Sequence, residues 1–127
     1  MGYGLGVDLG TTYTAAAVRR DGRIDVVPLG SRRPEIPSLV YVQPDGAVLV
    51  GEAAERRGGT DPGRLAREFK RRVGDPVAVL VGGRPYSAQA LMARLLEHVL
   101  QSVAAQQGGP PTLGVRQDHG QQHRTGA

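Results

Sequence analysis

The first 28 residues constrain the fold most, because they predict three consecutive strands with no helix between them. Residues 4–8 and 13–19 have strand patterns, and a glycine-containing turn at residues 9–12 separates them. The pair Asp21-Gly22 is typical of two-residue hairpin loops and precedes a third strand at residues 23–28. The chain is therefore expected to begin with an antiparallel meander.

The middle of the sequence predicts a small unit of short elements. Prolines and arginines make residues 30–37 irregular, and strands at 39–43 and 47–50 flank the turn Pro44-Asp45-Gly46. Residues 51–57 predict a brief helix closed by Gly58-Gly59, and residues 65–72 a second short helix. A strand at 76–81 then reaches a Gly82-Gly83 turn.

The strongest helical signal follows at residues 88–106. Ser87 is a suitable N-cap, and Leu91, Leu95, Val99 and Val103 recur every four residues, which makes a stripe that needs a partner surface. Aromatic residues are scarce, with four Tyr, one Phe and no Trp, so Val, Leu, Ile and Ala must build the core. Such a core favours strands covered by helices. The predicted fold class is α/β with mixed α+β character, in one domain.

The last segment has a different composition. Residues 112–127 are rich in Gln, His, Gly and Arg and lack apolar periodicity, which predicts a polar, disordered tail after a domain at 1–111. His119 and His123 have a spacing that suits a metal on a helix, but Gly120 disfavours that helix and no third ligand is evident. No metal site is expected there.

Composition excludes several classes of protein. The absence of Cys excludes a disulfide scaffold, a thiolate metal site and a cysteine nucleophile. The net charge of +4 comes from scattered arginine pairs without interleaved aromatics, so no nucleic-acid surface is predicted. No signal peptide or membrane-spanning run is visible, and a cytoplasmic protein is expected.

The segment that carries chemistry is residues 6–13, Gly-Val-Asp-Leu-Gly-Thr-Thr-Tyr. Here a strand ends near a carboxylate, Asp8, and Gly10 permits a tight turn before Thr11 and Thr12. Successive N–H groups in such a turn can point at one phosphate, and Asp8 could hold Mg²⁺ through water. A plain hairpin turn is the alternative. A Walker-type phosphate loop is not an alternative, because that loop requires a following helix.

One basic residue stands out from the others. Fifteen of the sixteen basic residues are Arg, and Lys70 is the single Lys. A compact ammonium on a flexible stem approaches a phosphate or a water differently from a planar guanidinium. The exception is suggestive of a functional role for Lys70, although chance also produces such singletons.

At this point the sequence resembles a known family. Residues 6–13 are similar to the first phosphate motif of the seventy-kilodalton heat-shock (DnaK-type) chaperones, which belong to the actin and sugar-kinase ATPase superfamily. Three further features match in order: Ile36-Pro37-Ser38, the run at 50–54 and the run at 69–74. The resemblance covers residues 3–106 and favours the chaperones over the sugar kinases.

The resemblance implies part of an actin-like (ribonuclease H-like) ATPase fold, made of a meander, a small inserted subdomain and a long helix. It implies ATP and Mg²⁺ as cofactors. The residues carried over are Asp8 for the metal's water shell, Gly10, Thr11, Thr12 and Tyr13 for the phosphates, and Lys70 near the γ-phosphate.

The resemblance also implies an incomplete ATPase. The family's second phosphate loop, adenosine-binding segment and second lobe have no counterpart here, so the expected product is a truncated ATP-binding lobe of a stress-response chaperone that is inactive alone. Unfolded polypeptides and co-chaperones are the partners implied for the full-length family. Two alternatives stay open: a stand-alone interaction module that uses an exposed helix, and a fragment of a sugar-kinase-like ATPase.

Overall fold

The N-terminal meander forms the centre of the largest sheet. The computed structural model describes residues 2–112 and the backbone of residues 115–118. Strands β1 (Gly4–Leu9), β2 (Tyr13–Arg20) and β3 (Arg23–Val27) pair antiparallel in chain order, as the sequence predicts. Asp21 and Gly22 both adopt positive φ, 50° and 81°, which a type I′ hairpin turn requires.

Two further strands extend this sheet where the sequence predicted irregular chain. β4 (Ile36–Pro37) pairs with the start of β2, and Ile36 is buried in the core. β10 (Val115–Asp118) pairs parallel with β1, in register from Leu5 with Val115 to Asp8 with Asp118. The expectation of irregular structure is therefore wrong for these two short segments, because pairing with an existing strand satisfies backbone groups whatever the local propensity. Residues 119–127 lie outside the described residues.

A second, three-stranded sheet contains β5 (Leu39–Val42), β6 (Val48–Val50) and β7 (Leu65–Arg67), in the order β6-β5-β7. The hairpin of β5 and β6 is the predicted one. Helix α1 (Glu52–Gly58) contacts all three strands, and α2, described below, contacts β5 and β6. The consecutive residues Val40, Tyr41 and Val42 point alternately to opposite faces of the strand and are all buried, so β5 is covered on both faces.

The predicted helix at 65–72 is wrong. Its first three residues are β7, which pairs antiparallel with β5 from Tyr41–Leu65 to Leu39–Arg67. Glu68 then takes a left-handed conformation with φ 53°, and a single 3₁₀ turn follows at Phe69–Arg72. Tertiary pairing overrides the helical propensity of this short run, and the left-handed residue prevents a helix from continuing through it.

A hairpin and a long helix complete the described part. β8 (Val79–Val81) and β9 (Arg84–Tyr86) pair across the Gly82-Gly83 turn, where both glycines have positive φ. Helix α2 (Ala88–Gln107) begins at Ser87, whose side chain accepts a hydrogen bond from the Ala90 N–H. It ends at Gly108 in the left-handed conformation.

The apolar stripe of α2 forms part of the core. Leu91, Leu95, Val99 and Val103 are at most 2 % exposed and pack in one cluster with buried residues of both sheets. The interpretation of α2 as an exposed docking helix is therefore wrong: the two sheets in this chain already cover the stripe. Within the described ranges, none of the helices is long and apolar enough to cross a membrane.

Candidate phosphate-binding site

The predicted phosphate turn is a tight connection between β1 and β2. The N–H of Gly10 donates to the carbonyl oxygen of Tyr13 at 3.0 Å, which closes the turn around Thr11 and Thr12. A Cβ atom at position 10 would clash with that same Tyr13 carbonyl oxygen. Glycine is required at this position because of the close backbone approach.

Ser38, the first residue after β4, anchors the turn from outside. Its N–H donates to the Thr12 carbonyl oxygen at 2.8 Å, and its hydroxyl donates to the Gly10 carbonyl oxygen at 2.7 Å. The Ser38 hydroxyl also lies 2.8 Å from the Thr14 hydroxyl. Ser38 and Thr14 are only 3 % and 0 % exposed, so this network is shielded from water.

A cleft of about 380 Å³ opens beside the turn. One wall is the turn itself, another is the β4–β5 connection, and the third comes from α1 and the end of β7. The lining residues are Thr11, Thr12, Tyr13, Pro37, Ser38, Leu39, Glu55, Gly58, Gly59, Leu65, Arg67 and Glu68. The cleft therefore lies between the two sheets, with the predicted phosphate turn on one side.

Charged groups of both signs surround this cleft. Arg67 supplies a cation to its lining, while Glu55 and Glu68 supply carboxylates. The Arg33 guanidinium carbon lies 5.3 Å from the centre of the Tyr13 ring, within the range of a cation–π contact, and Arg33 also pairs with Glu35 at 3.3 Å. An arginine is thus held against the residue that ends the phosphate turn.

The other predicted site residues, Asp8 and Lys70, lie in β1 and in the 3₁₀ turn after β7. Asp8 is exposed, one residue before the end of β1. Lys70 is half-buried in the 3₁₀ turn that follows Glu68, and its neighbour Phe69 is 1 % exposed, which fixes that turn in the core. The chain thus carries Lys70 to a point two residues past the cleft wall. An approach of the Lys70 ammonium to within about 10 Å of the turn stays a prediction.

The described residues do not form a protein-enclosed metal site. Among the residues the structure describes, no three His, Asp or Glu side chains come together to hold a cation. Asp8 offers one solvent-accessible carboxylate, which suits a Mg²⁺ ion that keeps most of its water ligands. His119 and His123 lie outside the described residues.

Comparison with known proteins identifies the family. A family model described as "Hsp70 protein" matches residues 4–81, which is more than half of the chain and includes the turn, Ser38 and Lys70. The chain belongs to the Hsp70 family. The match confirms the predicted family and favours neither an interaction module nor a sugar-kinase fragment.

Three similar curated proteins are named "Chaperone protein DnaK". The protein from Endomicrobium trichonymphae is 34 % identical over 117 residues, covering 87 % of this chain and 18 % of its own length. Those from Elusimicrobium minutum and Thermotoga petrophila are 35 % and 32 % identical, over 87 % and 83 % of this chain and 19 % and 18 % of their own lengths. This Hsp70-family chain thus spans less than a fifth of these relatives, as expected of a fragment of the family's ATPase domain.

Sequence reasoning missed several residues of the site. The Ile36-Pro37-Ser38 motif drew attention only as a family resemblance, and its serine had no predicted role. Thr14 and Arg67 were also overlooked. Spacing within one segment could not reveal Ser38 and Arg67, because they come to the cleft with β4, which pairs with β2, and with β7, which pairs with β5. Thr14 directly follows the turn, but its hydroxyl has its partner in Ser38.

Proposed function

We propose that the turn of residues 10–13 binds the phosphates of ATP, and that this chain provides the first phosphate-binding element of an ATP-dependent Hsp70 chaperone. The observation that supports the proposal most directly is the cleft beside the turn, which Thr11, Thr12 and Tyr13 line on one side and Arg67 on the other. Glu55 and Glu68 also line this cleft, so Mg²⁺ bound with the nucleotide would be needed to offset their charge. Backbone N–H groups and a guanidinium are both suitable partners for phosphate oxygens.

Each predicted residue has a distinct proposed role. Gly10 allows the turn to close, and the N–H groups of Thr11, Thr12 and Tyr13 donate to phosphate oxygens. Asp8 contacts the water shell of Mg²⁺, which would supply charge neutralisation at the phosphates. Lys70 places a positive charge near the γ-phosphate and the attacking water, where negative charge develops during hydrolysis.

The affinity of this chain for nucleotide should be low. A few hydrogen bonds to phosphate contribute roughly 1–3 kcal/mol each, while association and ordering cost several kcal/mol. The dissociation constant of the Mg–ATP complex is therefore expected near 1 mM or weaker. This chain alone should not hydrolyse ATP measurably.

An amide NMR titration of the ¹⁵N-labelled chain tests the binding proposal. Mg–ATP and inorganic pyrophosphate should both shift the amide signals of Thr11, Thr12 and Tyr13, with saturation in the millimolar range. Adenosine, which has no phosphate, is the matched control and should leave these signals in place. Equal responses to adenosine and pyrophosphate, or shifts confined to other surfaces, would contradict the proposal.

The role of Lys70 is tested in a longer protein that carries this lobe. Lys70→Ala should slow ATP hydrolysis strongly and leave nucleotide binding largely unchanged, because the ammonium acts mainly in the transition state. Lys70→Arg retains the charge and alters its geometry, so it should also be slow. Full turnover in Lys70→Arg would remove the catalytic assignment.

The wider function follows from the family and is also a proposal. We expect the longer protein to assist the folding of unfolded polypeptides together with co-chaperones, as a cytoplasmic protein of the stress response. The competing interpretation, a stand-alone module that docks partners on α2, is not favoured because the apolar stripe of that helix is buried.

A further inference from the structure

We infer that Ser38 is the positioning residue of the phosphate turn: it holds two carbonyl groups of the turn on one side, so that the neighbouring N–H groups face the phosphate. This inference rests on the proposed phosphate site and adds a residue to it. Ser38 is the residue whose backbone and side chain both bond the turn, with distances of 2.8 Å to the Thr12 carbonyl and 2.7 Å to the Gly10 carbonyl.

The two hydrogen bonds from Ser38 also determine where two N–H groups of the turn point. In a planar trans peptide the C=O of one residue and the N–H of the next point in opposite directions. The Gly10 carbonyl bonded to Ser38 therefore directs the Thr11 N–H away from Ser38. The Thr12 carbonyl does the same for the Tyr13 N–H. Ser38 thus fixes the orientation of two of the proposed phosphate donors.

The hydroxyl network has a defined direction. A serine hydroxyl has one proton, and Ser38 donates it to the Gly10 carbonyl. Thr14 must then be the donor in the 2.8 Å contact between the two hydroxyls. In the order Thr14 to Ser38 to Gly10, the hydroxyl of Ser38 makes the bond to the turn, and the hydroxyl of Thr14 is linked to that bond through Ser38. Both hydroxyls are buried, so water does not readily replace a lost bond.

Because the hydroxyl hydrogen bonds run from Thr14 to Ser38 to Gly10, two substitutions form a matched pair. Ser38→Ala removes the bond to the Gly10 carbonyl, whereas Thr14→Val removes a buried hydroxyl of the same network and leaves that bond intact. Both variants should lose stability to a similar degree. Only Ser38→Ala should loosen the turn, so it should weaken Mg–ATP binding about tenfold, as the loss of one ordering hydrogen bond implies. Ser38→Cys, of similar size with a weak donor, should fall between wild type and Ser38→Ala.

Two NMR measurements on the whole chain decide the matter. Hydrogen exchange of the free chain reports order in the turn: the hydrogen-bonded amides of Gly10 and Ser38 should exchange several-fold faster in Ser38→Ala than in Thr14→Val. Titration with Mg–ATP reports binding. Wild-type exchange and affinity in Ser38→Ala, or equal losses in Ser38→Ala and Thr14→Val, would overturn the inference.

The phosphate-binding proposal and the inference about Ser38 can be refuted independently of each other. If the wild-type turn does not respond to Mg–ATP or pyrophosphate, the phosphate site is refuted and Ser38 does not serve it. The exchange measurement then still decides whether Ser38 orders the turn. If Ser38→Ala does not fold, Ser38→Cys provides the comparison with Thr14→Val in both measurements.

Discussion

Replacement of Gly10 by alanine is the sharpest single test of the turn geometry. The added Cβ would clash with the Tyr13 carbonyl oxygen, which is a backbone atom and cannot rotate away. The turn must open, and two hydrogen bonds are strained or lost: Gly10 N–H to Tyr13 at 3.0 Å and Ser38 hydroxyl to Gly10 at 2.7 Å. At roughly 0.5–1.5 kcal/mol each, with local overpacking of about 1–3 kcal/mol, the free energy of unfolding should fall by about 2–6 kcal/mol.

Gly6→Ala is the matched control, four residues earlier and inside β1. A Cβ at position 6 would have the Ala17 carbonyl oxygen as its nearest neighbour, at an ordinary contact distance of 3.9 Å. Alanine loses less conformational entropy than glycine on folding, so this variant should gain about 0.5–1 kcal/mol.

Urea denaturation followed by far-ultraviolet circular dichroism measures both stabilities, since the chain has no Trp for fluorescence. The Mg–ATP titration then reports the effect on the site, and Gly10→Ala should abolish the response of the Thr11 and Thr12 amides. Equal stabilities of the two variants, with an unchanged titration, would refute the argument from close backbone approach.

Three further results are expected from the same denaturation assay. Leu95→Ala should lower the free energy of unfolding by about 3 kcal/mol because Leu95 is fully buried, whereas Leu80→Ala, at a 70 % exposed position, should change it by less than about 0.5 kcal/mol. Glu68→Gly should raise it by roughly 0.5 kcal/mol because glycine tolerates φ 53°. Burial lowers the pKa of His98. Below a pH of about 6.5 the unfolded chain therefore binds a proton at His98 that the folded chain resists, and the free energy of unfolding of the wild type should fall relative to that of His98→Gln. Parallel pH curves for these two proteins would contradict that account.

The parts of the fold that could be predicted from sequence are those governed by local signals. The Asp21-Gly22 turn and the Ser87 cap define their elements through short-range geometry, and both are observed. β7 and β10 could not be predicted, because each is a strand only through pairing with β5 or β1, far away in sequence. The burial of the α2 stripe was missed for a similar reason: its cover comes from two sheets assembled from separate segments.

The same distinction between local and tertiary signals applies to the residues of the candidate site. Gly10 is recognisable because its requirement lies within the turn, where its own residues close the backbone. Ser38 was visible as a motif but had no role until the strand pairing placed it against the turn. Sequence spacing cannot identify a residue that supports a site through a tertiary contact, because that residue lies in a different segment of the chain.

Helix α2 connects the two sheets in a way that has mechanical consequences. At 1.5 Å per residue its 20 residues form a rod about 30 Å long. Its C-terminal end is tied to the large sheet through Gln106 to the Pro28 carbonyl and Arg20 to Gln107. The helix also contacts β5, β6 and the 3₁₀ turn that contains Lys70. One rigid element therefore contacts the large sheet at its C-terminal end, the small sheet and the Lys70 turn, so a displacement of any one of these would be resisted by the packing of the other two.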